Sequence, residues 1–237
     1  MKRLLLCTSI LLISLSGYSQ GFEGSFTMAT ESYSDKTKSM DPMKTDISFF
    51  IKGDKTLMET KVEGMEGNLK VLMDESDDAV YTLMSQGGQK MAMKNSLSQI
   101  QNMADKGTET MEKDDYEVTK TSESKTIDGY SCTKYNVTST EYEGHFWATQ
   151  ELDFSYEELM ESINMQGKKS KKTKVPNYSN FGEYGVPLEM YMKEKDGESW
   201  IKMNIKNLKE EAVSDKVFDI SGYRVMDMQG MMMQQDR

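Results

Sequence analysis

Short runs of alternating apolar and polar residues, separated by turns rich in glycine and aspartate, recur along most of this chain. The clearest is IKMNIK at 201–206, in which isoleucine and methionine alternate with lysine and asparagine. Such alternation is typical of strands with one face buried and the other in water. Turns such as Gly53-Asp54 and Asp196-Gly197 join neighbouring runs, so the sequence predicts an antiparallel meander.

These runs outnumber the helical patterns, so we expect a mainly β protein of the α+β class. The predicted architecture is a curved antiparallel sheet or half-barrel of roughly nine to eleven strands, with one or two helices on its concave face. One helix is predicted over 155–165, where Ser155 and Glu158 have capping-box spacing. A shorter helical pattern covers 96–104, and the polar stretch 109–124 fits either an exposed strand or a linker.

The first twenty residues have the composition of a cleaved export signal. Two basic residues precede a short apolar stretch, and the small residues that follow predict cleavage near Ser19-Gln20. The apolar stretch is too short for a permanent membrane span. We therefore expect an exported protein, periplasmic or extracellular. Its predicted segments are a signal peptide at 1–20, a single β domain at 21–225 and a methionine-rich flexible tail at 226–237.

Charge and residue counts exclude several functional classes. The formal net charge of −10 becomes −12 without the two basic residues of the leader, and so acidic a surface repels nucleic acid. With one histidine, His145, and two cysteines, a zinc site of several His and Cys ligands is excluded by count. Cys132 is the only cysteine after the leader, and we expect a small buried side chain rather than a reactive thiol. Both residues lie on predicted strands, so a contact between them stays open.

The sequence contains no motif that indicates an enzyme. It has no nucleophile elbow, phosphate-binding loop or dinucleotide fingerprint. The acidic run DESDD at 74–78 lacks the glycine and the distant glutamate of an EF-hand, which favours a solvated turn. We therefore expect no enzyme activity, no catalytic residue, no cofactor and no metal site in the β domain.

Methionine is unusually frequent, with 22 in the chain, and many occupy alternating strand positions. Its side chain adapts to irregular shapes, and a sheet curved around few helices leaves space on its inner side. An apolar cavity between sheet and helix is therefore predicted. Strand parity selects its lining as Phe49, Ile51, Leu57, Met91, Met93, Phe146, Met190, Met192, Ile201, Met203 and Ile205.

Five short motifs carry a family resemblance: FEG at 22–24, IKGDK at 51–55, KTIDGYSC at 125–132, FWAT at 146–149 and FDISGY at 218–223. With them, the chain resembles an uncharacterised secreted-domain family of diderm bacteria. That family is similar to the lipoprotein-carrier superfamily typified by the periplasmic chaperone LolA. The resemblance implies a half-barrel of antiparallel strands that encloses helices, with an apolar cavity for acyl chains and no catalytic residues.

The first functional hypothesis is an exported, non-enzymatic binding protein. It would hold a lipid or another apolar small molecule in the cavity, with a role in envelope lipid or lipoprotein handling, and burial of apolar area would drive binding. The lysine-rich segment from Lys168 to Lys174 would suit contact with an anionic membrane surface.

Two alternatives belong to other classes. Thioethers cluster in the tail, at Met226, Met228 and 231–233, and suit Cu(I) in an exported protein. The second alternative is a structural or stress-related envelope protein whose helix fills the sheet and leaves no space for a ligand.

Overall fold

The computed structural model of this protein describes five parts of the 237-residue chain: residues 22–34, 41–61, 68–100, 116–152 and 178–227. Several sequence predictions fall outside these parts. They are the leader at 1–20, the helix at 155–165, the lysine-rich segment at 168–174 and all but two residues of the tail at 226–237. Within the five described parts, no helix is long and apolar enough to cross a membrane.

The described residues contain twelve strands that form one curved, unclosed sheet. The strands are β1 (Gly24–Tyr33), β2 (Met43–Lys52), β3 (Lys55–Lys61), β4 (Asn68–Asp74), β5 (Ala79–Gln86), β6 (Gln89–Ser96), β7 (Tyr116–Ile127), β8 (Tyr130–Ser139), β9 (Tyr142–Thr149), β10 (Val186–Glu194), β11 (Trp200–Lys209) and β12 (Arg224–Asp227). Their order across the sheet is β12-β6-β5-β4-β3-β2-β1-β11-β10-β9-β8-β7. All neighbouring strands are antiparallel except β12 and β6, which are parallel.

The mainly β, antiparallel prediction is therefore confirmed, whereas the predicted nine to eleven strands are too few. One cause is β7, which forms a strand from part of the stretch that fitted either a strand or a linker. The other is β12, which pairs with Met91–Lys94 of β6 and takes in the first two residues of the predicted tail.

Tight turns fix the register of the hairpins. Lys52 pairs with Lys55 across a two-residue turn in which Gly53 has a φ of 55°. Asp128 and Gly129 join β7 to β8 with φ values of 50° and 94°, as a type I′ turn requires. Turn length thereby decides which residues share a face of the sheet.

The register gives the sheet two apolar faces. The large apolar face extends across both halves of the sheet and is centred on Phe49, Met58, Phe146, Met190 and Met203. The small apolar face lies on the other side of β3 to β6 and is centred on Leu57, Leu72, Tyr81, Leu83 and Ala92.

The segment 213–223 packs against the small apolar face. The Lys52 ammonium donates to the Val213 carbonyl at 3.1 Å and to the Asp215 carboxylate at 2.7 Å. The Glu23 carboxylate accepts a hydrogen bond from the Val213 N–H at 2.8 Å. These contacts hold the segment on the sheet, and β12 follows directly after it.

A 3₁₀ helix, Tyr178–Tyr184, packs against the opposite, large face. The ring of Phe181 is fully buried and stacks on Phe146 with 4.8 Å between centroids. Phe146 also stacks on Tyr135 at 5.1 Å, and Tyr116 meets Phe181 edge-on at 5.6 Å. These four rings, the aromatic cluster, cover the large face over β7 to β9.

Candidate ligand-binding face

Cross-strand pairing aligns seven side chains in one row on the large apolar face. From β1 to β12 this long row consists of Phe26, Phe49, Met58, Val71, Thr82, Met93 and Met226, each opposite the next. Directly opposed residues lie on the same face of a sheet, with Cβ atoms about 5 Å apart. The row therefore connects the centre of the sheet with its β12 edge.

Burial decreases along the long row. Phe26, Phe49 and Met58 are at most 3% exposed. Thr82, Met93 and Met226 are half-buried, at the other end of the row. The row therefore leads from the apolar core, through Thr82, to a surface that water reaches.

A second pair of methionines lies beside this end of the row. Met84 and Met91 face each other on β5 and β6, and both are half-buried. Met91 is two residues from Met93 on the same strand, so the two side chains point to the same face. Met84, Met91, Met93 and Met226 are termed the methionine patch.

The structure brings ten of the eleven sequence-selected lining residues onto the large face. Six of them are buried, with at most 4% of their surface exposed: Phe49, Phe146, Met190, Met192, Met203 and Ile205. Four are half-buried: Ile51, Met91, Met93 and Ile201. Only these four are accessible enough to touch a ligand without rearrangement of the core.

Leu57 requires a correction, because it packs on the small apolar face. The turn at Gly53-Asp54 pairs Leu57 with Phe50, not with Phe49. Met58 takes the position opposite Phe49 and is 3% exposed. The parity assigned to β3 was off by one residue, which exchanges the two faces.

Sequence reasoning missed Thr82 and Met84, and it placed Met226 in the tail, not on the large face of the sheet. The alternation in AVYTLM at 79–84 was sufficient to place Thr82 and Met84 on the face of Val80. For Met226 no local signal existed, because its place depends on the parallel pairing of β12 with β6.

Cys132 and His145 do not form a site. On β8, the residue opposite His145 is Asn136, which is four residues from Cys132, or about 13 Å along the strand. Cys132 is 1% exposed, and burial raises the pKa of its thiol to about 11. Burial also lowers the pKa of His145. The prediction that Cys132 is a small buried side chain is confirmed.

Residues 75–78 of the acidic run form the exposed turn that the sequence predicts. Asp74, at the end of β4, is the exception. Asp74 is buried, accepts a hydrogen bond from Ser76 at 2.7 Å and forms an ion pair with Lys55. Burial alone would raise the pKa of Asp74, but the bonds from Lys55 and Ser76 outweigh it and lower the pKa. This carboxylate therefore links β3 to the end of β4.

The other two aspartates of the run accept hydrogen bonds from residues of β5 and from the end of β6. Asp77 accepts from the Tyr81 hydroxyl at 2.7 Å, and Asp78 accepts from the Ser98 N–H and the Ser96 hydroxyl, each at 2.8 Å. These hydrogen bonds lower the pKa of both aspartates. In the part of the chain that the structure describes, no three His, Cys, Asp or Glu side chains are grouped as a metal site requires.

Comparison with known proteins gives a family and several similar folds. Residues 22–223 match the model of a family described as a domain of unknown function, DUF4412. A comparison with curated proteins finds no match. Among solved structures, PNGF-II is similar with 13% identity and a TM-score of 0.38, over 90% of this chain and 32% of that chain. The chain thus spans about a third of the length of PNGF-II.

Two further structures align over most of both chains. The lipoprotein LppX of Mycobacterium tuberculosis has 10% identity and a TM-score of 0.39, over 81% of this chain and 89% of that one. An outer-membrane lipoprotein-sorting protein domain from Vibrio parahaemolyticus has 10% identity and a TM-score of 0.23, over 84% and 89%. The family match spans every strand except β12, and the protein therefore belongs to the DUF4412 family.

Proposed function

We propose that this protein is an exported, non-enzymatic binding protein that holds a lipid or another apolar ligand against the large apolar face. The observation that carries the proposal is the gradient of burial along the long row, from Phe49 at 0% exposure to a half-buried Met93. Among the described residues, the row passes from the core through Thr82 to apolar side chains at the methionine patch, which are half-buried and therefore accessible to a ligand.

Apolar burial supplies the driving force for this proposed function. An acyl chain that removed on the order of 200 Å² of apolar surface from water would gain about 5 kcal/mol before the entropy of association is subtracted. Methionine suits such a ligand because its unbranched side chain adapts to chains of different shape. Ile51 and Ile201, which are also half-buried on this face, would extend the contact area.

The test measures binding of parinaric acid, a fluorescent fatty acid, to a variant of the protein that carries a charge in the proposed contact area. Met93→Lys is expected to weaken binding at least 10-fold, because a lysine ammonium loses hydration against an acyl chain. Met43→Lys is the matched control. It makes the same chemical change at a strand methionine that is 69% exposed, and it should bind within twofold of the parent.

Native mass spectrometry of protein purified from the producing cell gives an independent measurement. A co-purifying lipid mass that Met93→Lys loses and Met43→Lys retains would support the proposal. Parinaric acid binding that does not saturate, or that Met93→Lys leaves unchanged, would contradict it and favour the structural alternative. The membrane contact through Lys168 to Lys174 lies outside the described residues and stays a prediction.

A further inference from the structure

The methionine patch places four thioethers on three adjacent strands. Met84 faces Met91 across β5 and β6, and Met93 faces Met226 across β6 and β12. The two pairs are joined by the i, i+2 relation of Met91 and Met93 on β6. Opposed Cβ atoms lie about 5 Å apart, and rotation about the Cα–Cβ and Cβ–Cγ bonds of each methionine can bring the sulfur atoms of neighbouring positions together.

The four side chains are also accessible. All four are half-buried, whereas Met28, Met190 and Met192 on the same face are at most 4% exposed. Arg224 lies opposite Met91 on β12, and its side chain is exposed to solvent. A small ion can therefore reach the patch without opening the core.

The donor set selects the kind of ion. Within the described ranges, His, Cys, Asp and Glu do not group in threes, so ions that prefer nitrogen or oxygen lack a site there. Thioether sulfur is a soft, uncharged ligand that favours Cu(I) over harder divalent metals. We propose that Met84, Met91, Met93 and Met226 form a site for a soft monovalent cation, Cu(I) or its analogue Ag(I).

This site differs from the one that the sequence alone suggested. The sequence suggested copper binding by the tail at 226–237, whereas here all four methionines lie on strands of the sheet and only Met226 also belongs to the predicted tail. The site also does not depend on the proposed lipid function, although the two share Met93. Leucine in place of methionine keeps the patch apolar and removes only the sulfur, so the two proposals can fail separately.

The test measures Ag(I) binding by isothermal titration calorimetry, and Cu(I) binding by competition with bathocuproine disulfonate under anaerobic conditions. The variants are the triple substitution M91L/M93L/M226L, the buried control triple M28L/M190L/M192L, and a chain that ends at Asp227. Circular dichroism and thermal unfolding establish that each variant is folded. Parinaric acid binding is measured on the same samples.

Three results together would support the site. The parent protein and the chain that ends at Asp227 bind one equivalent of Ag(I), the control triple binds within threefold of the parent, and M91L/M93L/M226L binds at least 10-fold more weakly. The same triple should retain parinaric acid binding if the proposed lipid function also holds. If M91L/M93L/M226L loses Ag(I) binding but retains parinaric acid binding, the ion is bound by sulfur and the acyl chain by the apolar surface.

Other results would overturn the site. No saturable Ag(I) binding by the parent removes it. Binding that survives M91L/M93L/M226L but disappears in the chain that ends at Asp227 assigns the metal to the tail. Equal losses in the two triples would show that no particular methionines hold the ion.

Discussion

The large apolar face is closed by aromatic rings on one side of the sheet and is half-exposed on the other. Over β7 to β9, Phe146 is 0% exposed and lies between the rings of Tyr135 and Phe181. Over β5, β6 and β12, the methionine patch is only half-buried. Both regions show the same strand alternation and contribute to the same face.

Among the described residues, different segments pack on the large and small faces of the sheet. The aromatic cluster depends on Phe181, which the 3₁₀ helix Tyr178–Tyr184 brings onto the large face. Near the methionine patch, the segment 213–223 packs on the small apolar face instead. A packed side is suited to stability and an open side to binding, so one sheet can serve both purposes.

The largest effect is expected from the loss of the Phe181 ring of the aromatic cluster. Phe181→Ala should lower the free energy of unfolding by about 3–5 kcal/mol, because it removes a fully buried ring and leaves a cavity. Met93→Ala, on the half-exposed side of the same face, should cost only about 1 kcal/mol. Urea denaturation of both variants measures the difference. Equal costs would show that the two sides are packed alike.

Methionine oxidation gives a second, direct comparison of the two sides. Under limited hydrogen peroxide, Met91 and Met93 should oxidise at least 10-fold faster than the buried Met190 and Met192. Peptide mapping by mass spectrometry gives the rate at each position. Met43, at 69% exposure, sets the upper rate in the same sample.

Two outcomes would argue against this comparison. If Met91 and Met93 were protected as strongly as Met190, the methionine patch would be covered in solution. If the oxidation rates of Met91 and Met93 exceeded those of Met190 and Met192 by the same factor in urea-denatured protein, the rates would reflect local sequence and not burial. The parent in urea is therefore the control for each peptide.

Local signals in the sequence predict most of the sheet. The alternation in β11 places Met203 and Ile205 on one face, and the structure buries both. The turn at Gly53-Asp54 is visible as a dipeptide, because a turn position with a positive φ favours glycine and Gly53 has a φ of 55°. Period-two patterns and tight turns are properties of neighbouring residues, which is why they can be read directly.

Long-range contacts explain what the sequence did not predict. β12 pairs with β6 across more than a hundred residues of chain, and the Lys52 contacts with Val213 and Asp215 hold the segment that precedes it. Leu57 was assigned to the wrong face because strand parity was counted without the pairing that the turn imposes. Strand parity also does not show whether other residues pack over a side chain. For this reason, parity does not distinguish the buried Met190 from the half-buried Met93.

The smallest expected effect concerns the carboxylates that anchor the methionine side of the sheet. Asp74 joins β3 to β4, and Asp78 holds the end of β6 through Ser96 and Ser98. The pKa of each aspartate is lowered in the folded protein, so the unfolded chain binds more protons in acid. Their stabilisation is therefore present above the ordinary aspartate pKa of about 4 and is lost as the pH falls further.

Asp74→Asn should lower the free energy of unfolding at pH 7 by about 1 kcal/mol, because a neutral amide binds Lys55 more weakly. Between pH 7 and pH 3, the variant should then lose less stability than the parent, since one of the titrating groups is gone. Urea midpoints at both pH values measure this difference, with Asp46→Asn at an exposed position of β2 as the matched control. If Asp74→Asn and the parent lost the same stability in acid, the Lys55–Asp74 pair would not contribute to the stability of this side of the sheet.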